Sequence, residues 1–281
     1  MSDQGNSDQI DFWSSAAGHK WVARQAELDT LMQPVLDGVL TRADLRAGLR
    51  VLDIGCGAGA GCLAAAQALG DRGAVLGVDV SEPLLDLARQ RAAALPQITF
   101  HHGDATALRL DPPYDRLISR FGVMFFSDPV LSFTRMAAQL RSGARISFAA
   151  WGQIPENPFF TLPARAARAI IGAMPKTDPD APGPFACRDP QRVDATLTQA
   201  GFADIKCEVM KLDLTPAGSV EDLAQQMCDI GPANGAITHF KASPAQVAEL
   251  RQTIADALRP YAQNGPLRLP AEINFVTAIK P

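Results

Sequence analysis

No run of lysine or arginine occurs in the 281 residues, and 26 basic against 30 acidic side chains leave a formal charge of −4. That balance argues against a nucleic-acid partner, which calls for a clustered basic surface. The five cysteines (Cys56, Cys62, Cys187, Cys207, Cys228) are odd in number and scattered, with no C-x-x-C pair. Neither a disulfide framework nor a zinc site is indicated, and the pattern fits a reducing cytoplasm. No metal-ligand cluster is visible. No apolar run approaches the length of a membrane span. The N-terminal MSDQGNSDQIDFW is polar and acidic, without the basic and apolar regions of a signal peptide. No internal repeat is visible. These absences lead to the expectation of a cytoplasmic protein with no nucleic acid and no membrane as partner; a homodimer is only the base-rate expectation. Hydrophobic residues make up 47% of the chain, enough for a sizeable core.

The chain is organised around residues 49–60, LRVLDIGCGAGA. Val51, Leu52 and Ile54 form a short apolar run with β-branched residues, suited to a buried parallel strand. Gly55, Gly57 and Gly59 follow at every second position, and residues 61–69 are rich in alanine and leucine. Strand, glycine turn and helix form the unit at which open α/β sheets bind ligands, outside the carboxyl ends of the strands. The run also satisfies the dinucleotide pattern G-x-G-x-x-A, so a nicotinamide-dependent oxidoreductase is one reading. Asp53 points elsewhere: it can accept hydrogen bonds from a cationic amino group and would repel a pyrophosphate.

At these residues the sequence resembles the class I S-adenosylmethionine (SAM)-dependent methyltransferases, whose first motif is an apolar strand followed by D-x-G-x-G-x-G. Here the motif stands as Asp53-Ile-Gly55-Cys-Gly57-Ala-Gly59. The resemblance implies S-adenosyl-L-methionine as cofactor, with Gly55, Cys56 and Gly57 beside it. A second strand over 74–80 ends at Asp79 and Val80, with Ser81 as the expected N-cap of the next helix. A carboxylate at that place suits a ribose diol. A third strand over 98–103 leads to Asp104-Ala105, which the resemblance places at the adenine ring. Asp53, Asp79 and Asp104 then face one crevice, and an acidic crevice complements a cation.

Before the motif, a helix is expected over 17–29 and another over 30–41 with Pro34 in its first turn, while residues 1–10 are expected to be loose. Trp13 and Trp21 read either as core residues or as lying over the cofactor. The run F-W-x-x-x-A-G-x-x-W-V-x-x-Q resembles the helical lid of such enzymes and implies cofactor contacts from Trp21 and Gln25. After the fourth strand, over 116–120, Asp128 and Pro129 read as cap and first turn of a helix to residue 140; 141–145 read as a turn into a fifth strand over 146–151. Residues 114–151 resemble the ubiquinone/menaquinone C-methyltransferase-like branch, which implies that Arg120 and Phe121 neighbour the cofactor. Phe125 and Phe126 read equally as core.

Further helices are expected over 162–174, 189–200, 220–230 and 244–261, and strands over 203–214 and 271–280. The expected fold is one α/β domain over 1–281, a Rossmann-like seven-stranded, mostly parallel sheet with an antiparallel last strand. Residues 1–48 form an N-terminal helical lid, 49–151 the cofactor core, and 152–186 and 215–270 substrate-side helical insertions.

Methyl transfer from a sulfonium needs alignment and exclusion of water more than a catalytic triad. Where the acceptor is a phenol, an enol or a protonated amine, a general base helps. His101 and His102 are adjacent on a strand, point to opposite faces and share no metal; one of them is expected beside the adenine pocket. His19, in the lid segment, and His239, in the late insertion, are the candidate bases. The reading is thus a SAM-dependent methyltransferase of a small molecule, its acceptor atom (C, O, N or S) undetermined. A NAD(P)-dependent oxidoreductase and a non-catalytic SAM-binding regulator or partner subunit are the alternatives.

Overall fold

A computed structural model describes residues 7–14, 16–110, 113–263 and 265–281. Four helices, α1 (Ser7–Ser14), α2 (Ala16–Ala23), α3 (Gln25–Leu31) and α4 (Gln33–Ala43), precede β1 (Arg50–Ile54). There follow α5 (Ala60–Leu69), β2 (Ala74–Asp79), α6 (Glu82–Arg91), β3 (Ile98–His102), β4 (Tyr114–Arg120), α7 (Pro129–Ala137) and β5 (Leu140–Trp151). The remainder is α8 (Pro158–Ile170), α9 (Pro190–Gln199), β6 (Ala203–Leu214), α10 (Val220–Asp229), α11 (Gly231–Phe240), α12 (Pro244–Leu258) and β7 (Leu269–Ile279).

The seven strands form one sheet in the order β3-β2-β1-β4-β5-β7-β6. The first five pair in parallel, and β7 runs antiparallel to both of its neighbours. Strand order reverses at β1, so the carboxyl ends of β1 and β4 diverge around a crevice. Residues on β5 alternate between the two faces. Ser147 donates to the Val39 carbonyl of α4 at 2.8 Å, while Phe148 packs against Phe133 of α7 with ring centroids 5.6 Å apart. Helix α4 thus covers one face, seated on the Phe275 ring of β7, over which the Arg42 guanidinium lies 4.3 Å from the centroid.

The N-terminal region differs from the sequence expectation in three ways. Residues 7–10 are helical, and 1–6 lie outside the described residues. The helix expected over 17–29 breaks at Arg24, whose backbone leaves helical geometry at ψ +12°. The next break falls at Met32 because Pro34, near the start of α4, has no N–H to continue the preceding turn. Farther on, 141–145 belong to a twelve-residue β5, because β7 pairs as far as Arg145 and the Gly143 N–H donates to Lys280. The helix from Pro129 stops at Ala137. Helix α11 was not expected: Gly231, Pro232, Asn234 and Gly235 are poor helix formers, and burial of Ala233 and Ala236 holds it.

Two glycines test this packing in opposite directions. A Cβ on Gly38 would lie 2.3 Å from the buried Phe275 ring, whereas one on Gly235 meets nothing within 4 Å. Gly38→Ala should cost about 1–3 kcal/mol and lower the thermal midpoint by roughly 3–10 °C. Gly235→Ala, inside a helix, should raise stability by about 0.5–1 kcal/mol. Thermal unfolding of both variants checks the pair, and equal shifts would contradict the placement of α4.

Candidate active site

Three aspartates stand at the carboxyl ends of β1, β2 and β3, and each lines a single cavity of about 370 Å³. Asp53 is 3% exposed. It accepts from the Cys62 thiol at 3.3 Å, close to the first turn of α5, where a helix favours negative charge. A Cβ on Gly61 would come within 2.4 Å of its Oδ2, so a glycine is required there. Burial pushes the Asp53 carboxyl up to about 7, against the opposing pull of the Cys62 hydrogen bond and the Arg120 charge. Burial raises Asp79 as well, opposed by backbone N–H groups. Gly57 donates to its Oδ2 at 2.7 Å and Ser81 to its Oδ1 at 2.9 Å. Ser81 itself does not cap α6 through its side chain; its hydroxyl donates to the Trp13 carbonyl at 2.9 Å, tying α1 to the end of β2. Asp104 accepts from the Thr106 N–H at 2.8 Å and so shapes the short 3-10 turn Ala105–Ala107.

The glycines divide the work. Gly55, at φ +66°, is in close backbone contact with Gly122: a Cβ on it would lie 2.6 Å from the Gly122 Cα. Gly57, at φ +53°, faces open space. The first glycine therefore serves packing between the β1 and β4 loops, and the second leaves backbone open to the cavity.

Above the crevice, Arg120 at the end of β4 donates through Nη2 to Asp29 of α3 at 3.1 Å. Its Nη1 is buried without a partner. Asp29 also accepts from Arg91 at 2.9 Å and from Gln25 at 2.5 Å. Trp13 meets Trp21 and Phe125 edge-on, at centroid distances of 5.4 and 5.6 Å. The far side of the cavity is aromatic. Phe121 stacks on Trp151 at 4.6 Å, and Phe159 and Phe160 pack on the same indole. Pro184, Ile230 and Gly231 close the wall.

All twelve residues singled out from the sequence as cofactor neighbours line this cavity: Trp21, Gln25, Asp53, Gly55, Cys56, Gly57, Asp79, Val80, Asp104, Ala105, Arg120 and Phe121. The two candidate bases do not. His19 and His239 are exposed and absent from the lining. In a 3.6-residue period His19 falls away from Trp21, the residue of α2 that enters the cavity. His239 lies in the last turn of α11, packed on the exposed Phe240, while only the start of that helix reaches the wall. Neither His101 nor His102 enters the lining; His102 is held at the Val80 carbonyl (3.0 Å) and Glu82 (3.2 Å). Asp29 was missed, although Trp21, Gln25 and Asp29 fall at the i, i+4 spacing that puts residues on one helical face. Phe159, Phe160, Pro184, Ile230 and Gly231 carried no local signal. Among the described residues no group of histidines, cysteines and carboxylates could hold a metal, and no helix is long and apolar enough to cross a membrane.

Residues 51–143 match the family described as methyltransferase domain. The demethylmenaquinone methyltransferase of Staphylococcus epidermidis is 28% identical over 177 residues, covering 59% of this chain and 73% of that one. The same enzyme of Shouchella clausii is 33% identical over 110 residues, 38% of this chain and 47% of its own. The solved structure of Haemonchus contortus phosphoethanolamine N-methyltransferase 2 in complex with S-adenosyl-L-methionine matches with a TM-score of 0.60 at 19% identity, over 97% of this chain and 60% of that one. The [4+2]-cyclase SpnF shares the fold at a TM-score of 0.54 and 19% identity, over 88% of this chain and 81% of that one. Residues 51–143 thus carry a methyltransferase domain, and the matches together support a class I S-adenosylmethionine-dependent methyltransferase. Its similarity to curated enzymes runs to the demethylmenaquinone methyltransferases.

The raised carboxyl has a measurable signature. Between the ordinary aspartate range near ~4 and the folded value of about 7, the native protein binds a proton that the unfolded chain does not. The contribution of Asp53 to stability is therefore present at low pH, is lost as pH rises through that window, and is flat above it. Denaturant titrations from pH 4.5 to 7.5 should show Asp53→Asn gaining roughly 1–3 kcal/mol relative to wild type across the window. Parallel pH profiles for the two proteins would contradict the burial of a titrating carboxyl.

Proposed function

We propose that the chain methylates a small, largely apolar acceptor seated in the aromatic half of the cavity, with the cofactor along the carboxyl ends of β1 to β4. The observation that carries this reading is the division of one cavity into a carboxylate-lined side and an aromatic side. Its volume of about 370 Å³ is in the range of small-molecule sites.

The residues present fit the cofactor. The buried, unpartnered Nη1 of Arg120 suits a carboxylate. Asp53 suits the amino group, and Asp79 keeps a second lone pair on each oxygen for ribose hydroxyls. Asp104 and the Ala105 N–H suit the adenine edge. Bound S-adenosylmethionine supplies an electrophilic methyl group on a sulfonium. The residues of the chain hold, orient and exclude water: Trp13, Trp21 and Phe125 form an edge-to-face cover, and helices α1 to α3 act as the lid.

Proton removal receives no help from the lining. Among the described residues no histidine, lysine, glutamate or tyrosine faces the cavity. Burial pushes the Cys56 thiol up to about 11, which leaves it inert as a base or nucleophile near neutrality. The aspartates lie on the cofactor side. The acceptor is therefore a nucleophile that needs no proton taken by the protein, such as a thioether or an acidic aromatic enol ionised in solution. Similarity to demethylmenaquinone methyltransferases supports the aromatic enol.

Formation of S-adenosylhomocysteine, followed with naphthol and quinol acceptors, aryl thioethers and phosphoethanolamine, tests the reading. Turnover is expected with an apolar aromatic acceptor and not with phosphoethanolamine. Asp79→Ala should weaken SAM binding by roughly 10- to 100-fold in calorimetric titration. Turnover confined to phosphoethanolamine would overturn the assignment of the aromatic half.

A further inference from the structure

Asp29 belongs to none of the methyltransferase motifs, yet its carboxylate is the junction of the charged side of the cavity. Its Oδ1 accepts from Arg120 and its Oδ2 from Arg91, at 3.1 and 2.9 Å. Arg91 is fixed independently, donating through Nη1 to the Ala58 carbonyl of the glycine loop at 2.6 Å. Two guanidinium groups thus converge on one carboxylate, and without it they would repel each other. Arg91 is anchored and would stay; Arg120, whose side chain donates only to Asp29 among the described residues, would move. With Asp29 in place, Arg120 is held by Nη2, and its buried Nη1 is left without a partner at the cavity. A buried unpaired donor is costly unless a ligand completes it.

We propose that Asp29 is a positioning residue, which acts through Arg120 to aim a charge-assisted donor at the amino-acid carboxylate of the cofactor. The inference rests on the cofactor placement proposed above. Because Asp29 lies on α3, the same carboxylate seats the N-terminal helices over β4 and the glycine loop. Occupation of the amino-acid end of the site and seating of these helices are then coupled. Gln25, one turn before Asp29, donates to its Oδ2 at 2.5 Å and limits its rotamers.

The test compares two ligands that share the adenosyl thioether and differ at the amino-acid end: S-adenosylhomocysteine and 5′-methylthioadenosine. Calorimetric titration of the full chain uses wild type, Asp29→Asn, Arg120→Gln and the double variant. Asp29→Asn should weaken S-adenosylhomocysteine by about tenfold or more and change 5′-methylthioadenosine by less than about twofold. In the Arg120→Gln background, Asp29→Asn should add less than about a further twofold. Retained 5′-methylthioadenosine binding shows that each variant is folded with its adenosine pocket intact. The proposal is overturned if Asp29→Asn weakens both ligands alike, leaves S-adenosylhomocysteine unchanged, or acts equally in both backgrounds. A wild type that binds neither ligand would overturn the cofactor placement as well.

Discussion

A carboxylate taken out of water sets the terms for the rest of the site. Asp53 is buried near the end of β1, and removing a charge from water costs far more than a buried apolar group gains. The structure answers with local concessions. Gly61 gives up its Cβ to make room, Cys62 donates, and Arg120 lies close enough to oppose the shift. The residual cost leaves the carboxyl half-titrated near neutrality. A cation placed against it would be favoured, which converts a local destabilisation of the empty protein into affinity for a cationic ligand. The same trade between fold stability and function is common at binding sites.

The second constraint is charge balance across the cavity. Three acidic strand ends line the cavity together with Asp29, whose carboxylate joins Arg91 and Arg120 beside them. Helices that precede the sheet in sequence are thereby tied to its carboxyl ends. They are also tied to the late insertion, where Arg24 pairs with Asp229 at 2.5 Å and Lys20 donates to Asn234 at 2.6 Å. Elements more than 200 positions apart in sequence meet beside one cavity, with its carboxylate-lined and aromatic sides under a shared cover. The shared fold does not choose the acceptor, since the structural neighbours include a phosphoethanolamine N-methyltransferase and a cyclase.

What could be read from the sequence follows from how local each signal is. The motif from Asp53 to Gly59 declares itself because strand, positive-φ glycines and helix are consecutive. Asp79 and Asp104 declare themselves because one closes a short strand and the other follows shortly after one. The cap pair at Asp128-Pro129 does too, and its carboxylate accepts the expected backbone N–H. Helix α11 was hidden because only tertiary burial of Ala233 and Ala236 holds it. The histidines misled for the complementary reason. Proximity to the site was inferred for whole segments, but the face that each helix turns inward is set by packing: Trp21 enters and His19 does not. Asp29 was hidden because its meaning depends on two arginines, 62 and 91 positions away, that no local pattern joins to it.

The most direct test is a crystal structure of the chain with S-adenosylhomocysteine. The account predicts the adenine at Asp104 and Ala105, the ribose hydroxyls on Asp79, the amino group against Asp53, the carboxylate on Nη1 of Arg120, and the sulfur facing the aromatic half of the cavity. A ligand lying outside this crevice, or with its carboxylate directed away from Arg120, would contradict it.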